Sequence, residues 1–108
     1  MNKLPVLKKV REIFKTRDRW CQFSMARDSK GNITYVNSNE AVCWCIAGAL
    51  WKESVDTNKA FTLYDETISY LSNKAGTSII GLNDDVDGYE RVCRVLDKAI
   101  EELETLGV

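Results

Sequence analysis

No histidine occurs among the 108 residues. That removes the commonest general base, the usual activator of a nucleophilic serine or cysteine, and the commonest zinc ligand. The side chains that could still do chemistry are the four cysteines at 21, 43, 45 and 93, the three tryptophans, the pair Arg27-Asp28, and the oxygen-rich run Asn83-Asp84-Asp85-Val86-Asp87-Gly88. A peptidase of the Cys/His type is excluded by composition. A thiol enzyme would have to use Cys43 or Cys45 with Asp or Arg neighbours, its pKa depressed by a helix N-terminus. Structural zinc takes ligands paired about two to four residues apart on a knuckle. Cys43-Trp44-Cys45 falls instead in an expected helix, where residues two apart diverge by about 200°.

Oxygen side chains at 83, 85 and 87 before Gly88 match the first half of a calcium loop, but the position that requires a bidentate Glu is Arg94. Asp87 and Glu90 are read more simply as a capping box at the start of a helix. No metal and no cofactor are expected. Glycine-rich phosphate cradles and the G-x-S-x-G elbow are absent, and the spacing of the acids singles out no catalytic pair. Trp44 and Trp51, seven apart, would share a helix face. They either pack the core, or one of them lines a pocket and stacks on a planar ligand such as a base. Trp20 is a second stacking candidate. The fork of Arg27 suits a phosphate or carboxylate, against the alternative of a local pair with Asp28 that caps a turn.

The elements that must position these groups are legible as patterns. Leu7, Val10, Ile13 and Phe14 make one face of a first helix over about 4–15, with Asn2 as its N-cap and Pro5 in its first turn. Trp20–Ala26 and Ile33–Val36 read as strands joined through Gly31-Asn32, with Trp20, Phe23, Met25 and Tyr35 available to pack on helices. Ala41–Trp51 is apolar all round, which marks a buried helix, and Asn37 with Glu40 looks like its capping box. Gly48 within it implies close approach of a neighbouring helix or backbone. Residues 52–60 read as polar loop. A third helix is expected from Thr62 to Gly76 with Tyr64, Ile68, Leu71 and Ala75 inward. The last runs from Asp87 to Gly107 with Tyr89, Val92, Leu96, Ala99, Leu103 and Leu106 inward. The expected fold is a single α+β, mainly helical domain over 1–108. About four helices pack around a central helix at about 39–53, with one short β-hairpin at about 20–36.

Composition bounds the function further. A net charge of −1 argues against duplex nucleic acid as the main partner. Charge is segregated: residues 1–19 are rich in Lys and Arg, whereas 84–104 are rich in Asp and Glu. This gives either two solvated helical faces that attract each other or a polar docking surface. No continuous apolar stretch occupies the N-terminus, and the apolar run at 41–51 is too short to span a bilayer. A cytoplasmic protein with free thiols and no membrane partner is expected.

Several segments together resemble a family of small bacterial and phage proteins known only as a domain of unknown function. They are Trp20-Cys21-Gln22, Ala26-Arg27-Asp28-x-x-Gly31, Ala41-Val42-x-Trp44-Cys45-x-x-Gly48-Ala49-Leu50, Asn83-Asp84, and Val92-x-x-x-Leu96-Asp97-x-Ala99-Ile100. The likeness spans residues 5–102 and carries no catalytic motif. The chain departs from that pattern in a more acidic loop after Asp84 and a shortened 54–61 region. The resemblance marks Trp20, Arg27, Asp28, Cys45, Asn83 and Asp84 as special positions, which implies that they converge at one end of the central helix as a small pocket. Occurrence in phage genomes implies, by association, a part in the contest between phage and host. The expected function is a small non-enzymatic binding protein that inhibits host defence, by sequestering a small ligand such as a signalling nucleotide or by blocking a host defence protein. Its ligand-binding residues would be Trp20, Arg27, Asp28, Trp44, Asn83 and Asp84, and it would form homo-oligomers through an apolar helix face. The alternatives are a Cys-dependent enzyme lacking His, or a purely structural protein–protein module that uses the basic first or acidic last helix.

Overall fold

The structure, a computed structural model, describes residues 2–55 and 59–107. The first and last helices, whose periodicity is plainest in the sequence, form as expected. Helix α1 (Leu4–Ile13) buries Val6, Leu7, Val10 and Ile13, and the Asn2 side chain accepts a bond from Leu4 N at 3.0 Å at its start. The C-terminal helix (Gly88–Thr105) buries Val92, Cys93, Leu96, Ala99 and Leu103 at three- and four-residue spacing. These two helices pack together. Lys8–Glu104 (3.1 Å), Arg11–Asp97 (2.8 Å) and Arg17–Glu90 (2.6 Å) join their flanks. The segregated charge thus serves mutual attraction within the chain. Each such exposed pair is worth at most about 1 kcal/mol, so the apolar seam supplies most of the stability and the ions set the register.

The mainly helical α+β class is as expected, but the middle of the chain is built differently. The apolar run divides. Cys43–Trp44 is strand β2, paired antiparallel with β1 (Ala26–Arg27) in the register Ala26↔Trp44 and Arg27↔Cys43. The central helix α2 is only Ile46–Ser54, with Cys45 as its N-cap. Asn37 and Glu40 therefore cap nothing, and the expected helix over 39–45 is loop and strand. An unbroken apolar run satisfies a buried strand as well as a buried helix, and pairing with a distant segment decides between them. The expected hairpin survives as a turn: Asp28 N donates to Asn32 O (2.9 Å) and Thr34 N to Ala26 O (3.1 Å). However, 20–25 and 34–36 form no ladder with each other; the sheet partner of β1 lies after the turn segment. Phe23, Met25 and Tyr35, expected to pack on helices, are exposed.

Helix α3 (Ala60–Ala75) starts two residues before the expected Thr62 and ends at Gly76 as expected. Its fully buried stripe is Leu63, Thr67 and Leu71, with Tyr64, Ile68 and Ala75 half-buried beside it. The expected loop over 52–60 is shorter than its pattern implied, since α2 continues to Ser54; part of that expectation falls on 56–58, outside the described residues. The expected loop over 77–88 contains a further short helix, α4 (Ile79–Asn83), which Ser78 caps by accepting from Gly81 N at 3.2 Å. The C-terminal helix is accordingly α5. Asp87 before it sits at φ 58° and makes no side-chain cap bond, so the Asp87–Glu90 box does not form. Leu106, expected inward, is exposed. Helix α2 packs on α1, α3 and α4, and α5 packs on α1, α3 and α4, around a core that includes Phe14, Ile46, Leu50, Leu71 and Leu96. No helix of the described residues is long and apolar enough to cross a membrane.

Candidate functional site

Of the residues marked by the sequence pattern, Trp20, Cys45, Asn83 and Asp84 come together at the N-terminal end of α2, whereas Arg27 and Asp28 do not join them. Asn83 is fully buried at the end of α4. Its Oδ1 accepts from Trp20 Nε1 (2.8 Å) and from Ile46 N (2.9 Å). Its Nδ2 donates to Cys21 O (3.1 Å) and to Asp84 Oδ1 (3.0 Å). All four of its hydrogen-bonding positions are therefore used. Asp84 Oδ1 also accepts from Phe23 N at 3.0 Å, and Gln22 Nε2 donates to the carbonyls of Asn83 (3.2 Å) and Asp85 (3.0 Å). The first turn of any helix leaves amide donors without partners. Here Ile46 N is satisfied by an asparagine from another helix, while Gly48 N donates to Cys45 Sγ at 3.4 Å. The knot thus fastens segment 20–23 and α4 to the start of α2.

Close packing reinforces it. A Cβ on Gly48 would lie 1.9 Å from Met25 O, and one on Gly88 would lie 2.2 Å from Asn83 O. Gly48 is thus the close-approach position that its place in the apolar run implied, the neighbour being backbone. Phe23 is held at φ 66° although its ring is 72% exposed. A bulky residue there carries backbone strain that the surrounding bonds sustain.

Arg27 and Asp28 belong to the turn. Asp28 Oδ1 accepts from Lys30 N and Asn32 N, both at 2.9 Å; Arg27 Nη1 donates to Gly31 O (2.9 Å) and Nη2 reaches Gln22 O (3.4 Å). Trp44 is only 4% exposed, with its Nε1–H donated to Val36 O at 3.0 Å. Of the expected ligand-binding set, Trp20 and Asp84 border one hollow of about 300 Å³, shared with Arg17, Phe23, Asp85 and Asp87. Arg17 lies over the Trp20 and Tyr89 rings there, and Trp20 meets Tyr89 edge-on at 5.7 Å.

Three of the four thiols, Cys21, Cys45 and Cys93, are not poised for attack. Burial raises the pKa of Cys45 and Cys93, and burial together with the neighbouring Cys43 pushes Cys21 up to about 12. Cys45, at a helix N-terminus, receives bonds that favour its thiolate, but burial outweighs them. Cys43 and Cys45 are not the diverging helical pair expected from spacing, since one lies in β2 and the other caps α2. Among the described residues no group of three or more Cys, Asp or Glu comes together to hold a metal ion.

A different surface stands open. Met25, Tyr35, Val36, Trp51, Phe61 and Tyr64, with Asn37, line a cleft of about 660 Å³ between the turn segment, α2 and the start of α3. Its floor is the edge-to-face pair Trp51–Tyr64, centroids 5.5 Å apart at 89°. Its rim is Tyr35, 87% exposed, and Phe61, 72% exposed. Among the described residues no charged side chain lines it, and burial raises the Tyr64 pKa, so the phenol stays neutral. Of the two tryptophans expected on one helix face, Trp51 is the one that lines this cleft. The other lining residues come from separate segments and have no shared pattern. The one local sign was the density of aromatics at 61 and 64, which fall on adjacent turns of one helix.

Compared with known protein families, residues 3–102 match the Family of unknown function (DUF6197). Neither a curated protein nor a solved structure matches the chain.

Proposed function

The chain belongs to the family of unknown function DUF6197, and for it we propose a non-catalytic binding role in which the aromatic cleft holds a planar, mainly apolar ligand. The observation that carries this reading is the cleft itself: about 660 Å³ lined by four aromatic rings, a methionine and a valine, with one amide side chain. Its size and composition suit a small-molecule site, apolar walls with few polar groups to set orientation. An edge-to-face pair such as Trp51–Tyr64 presents ring faces and edges on which a further ring can stack. The absence of histidine and the raised thiol pKa values favour binding over nucleophilic catalysis.

A protein of this kind acts by occupancy. Carried by a phage, it would withdraw a host signalling molecule or cover an apolar side chain of a defence protein, and a second copy closing over Tyr35 and Phe61 would seal the ligand. The cleft replaces Trp20, Arg27 and Asp28 as the proposed ligand contact, because those side chains already have internal partners. The test is fluorescence titration with the neutral probe N-phenyl-1-naphthylamine. Saturable one-to-one binding is expected, abolished in Trp51→Ala and weakened in the exposed-rim variant Phe61→Ser, with far-ultraviolet circular dichroism unchanged. No saturable binding to the native protein overturns the reading. Native mass spectrometry of the protein purified from expressing cells then reports the mass of any retained molecule and the number of chains that hold it.

A further inference from the structure

The aromatic cleft is not closed at Val36 and Asn37. The same two residues also line a second hollow of about 500 Å³, completed by Ser38, Asn39, Ala41, Trp44, Lys52 and Val55. Trp51 lines the first and Lys52 the second, and the two hollows adjoin at Val36 and Asn37, which line both. A single small molecule can therefore reach both. The two hollows differ in chemistry. The first has no charged lining residue among the described residues. The second holds Lys52, whose Nζ lies 5.5 Å from the centroid of the Trp44 ring, and Arg19 brings its Cζ to 5.4 Å from the same centroid. The Arg19 guanidinium makes no hydrogen bond or ion pair among the described residues. Lys52 has one anionic partner there, the adjacent Glu53 at 3.3 Å. Among the described residues two cations, Lys52 and Arg19, thus approach the Trp44 indole against one carboxylate, Glu53; of the two, Lys52 lines the hollow, beside the Ser38 hydroxyl and the Asn37 and Asn39 side-chain amides.

From this juxtaposition we infer that the ligand is an aromatic anion, its ring in the Trp51–Tyr64 cleft and its acidic group, a carboxylate or phosphate, in the hollow served by Lys52 and Arg19. Each half supplies what the other lacks: the cleft removes the ring from water, and the cations and amides replace the water around the charge. The inference rests on the proposed binding role of the cleft, and it adds the charge of the occupant.

The experiment compares 1-anilinonaphthalene-8-sulfonate with its neutral analogue N-phenyl-1-naphthylamine on the native protein and on Lys52→Gln, Arg19→Gln and the double variant. The double variant is expected to weaken the sulfonate about five- to tenfold while leaving the neutral probe unchanged, and added salt is expected to weaken the sulfonate alone. If both probes bind one-to-one but neither substitution nor salt separates them, the charged half of the inference is overturned and the cleft reading stands. If neither binds, the cleft reading itself fails and the inference falls with it. Displacement of the bound sulfonate then identifies the acid. Adenosine 5′-monophosphate competing where adenosine does not assigns a phosphate, and indole-3-acetate competing where 3-methylindole does not assigns a carboxylate. Competition by neither anion overturns the inference.

Discussion

Two regions of this molecule are rich in the residue types that usually mark function, and they are used in opposite ways. Around Asn83 the polar groups pair with one another: an amide, a carboxylate, an indole N–H and three backbone groups are joined about a fully buried asparagine. Around Trp51 the aromatic rings have few polar partners and remain open to solvent. The first region holds most of the polar positions that the sequence pattern marks, and it fastens segment 20–23 and α4 to the start of α2. The second is assembled from residues the pattern does not mark. A buried polar network is costly to leave half-satisfied, so its members are strongly constrained by folding alone. An aromatic cleft places little demand on the fold.

That contrast can be broken most forcefully at Asn83. Asn83→Leu leaves the Trp20 indole N–H and Ile46 N without their acceptor, and should cost about 3–5 kcal/mol in urea unfolding, since each stranded buried donor costs about 1–3 kcal/mol. A cost below about 1 kcal/mol would show that water replaces the amide and that the knot is not architectural. Next is Gly48→Ala, whose methyl would meet the Met25 carbonyl at 1.9 Å. A loss of about 2–3 kcal/mol is expected, against the gain of about 1 kcal/mol when alanine replaces an unconstrained helical glycine. Phe23→Gly reverses the sign. It relieves a positive φ on an exposed ring and should raise the midpoint by about 1 kcal/mol equivalent. Destabilisation instead would mean that the ring packs usefully where it lies.

A smaller effect follows from the thiols. The native fold keeps the Cys21 proton up to about 12, whereas the unfolded chain releases it near 9.0. The folded state therefore holds more protons between those values. Stability is intact below pH 9 and declines as the pH rises toward 12. Cys45 and Cys93 push the same way. Unfolding midpoints measured across that range should fall, less steeply in Cys21→Ala, and alkylation of Cys21, Cys45 and Cys93 in the native protein at neutral pH should be slow. The smallest stability effect is expected at the cleft rim. Phe61→Ser should shift stability by no more than about 0.5 kcal/mol while weakening neutral-probe binding. A large stability loss there would erase the distinction between the two regions.

The legible parts of the chain were those where one face meets water. In α1 and α5 the contrast between buried and exposed positions writes a helical period into the residues, and their bounds and inward faces were readable within a few positions, Leu106 excepted. The stretch 41–51 lacks that contrast, and there β2 was mistaken for the start of a helix. Capping patterns misled for a related reason. Asn37 with Glu40 and Asp87 with Glu90 have suitable spacing, yet the caps actually made come from Cys45 and Ser78. Convergence of Trp20, Cys45, Asn83 and Asp84 near the start of α2 agrees with the resemblance. Their saturation by one another was invisible, because a list of polar residues does not say which bonds are already made.

By itself the sequence determined the mainly helical α+β class, the segregation of charge between a basic first helix and an acidic last one, the close approach at Gly48, and the lack of imidazole chemistry. These follow from period, charge, residue size and composition, which are properties of a chain read locally. Only the tertiary structure decided that Cys43–Trp44 pairs with Ala26–Arg27, that Asn83 supplies the acceptor at the start of α2, and that Met25, Tyr35, Trp51, Phe61 and Tyr64 share one cleft. Each of these joins residues far apart in sequence. Their contact depends on how the whole core packs, and no local pattern records which distant partner will be there.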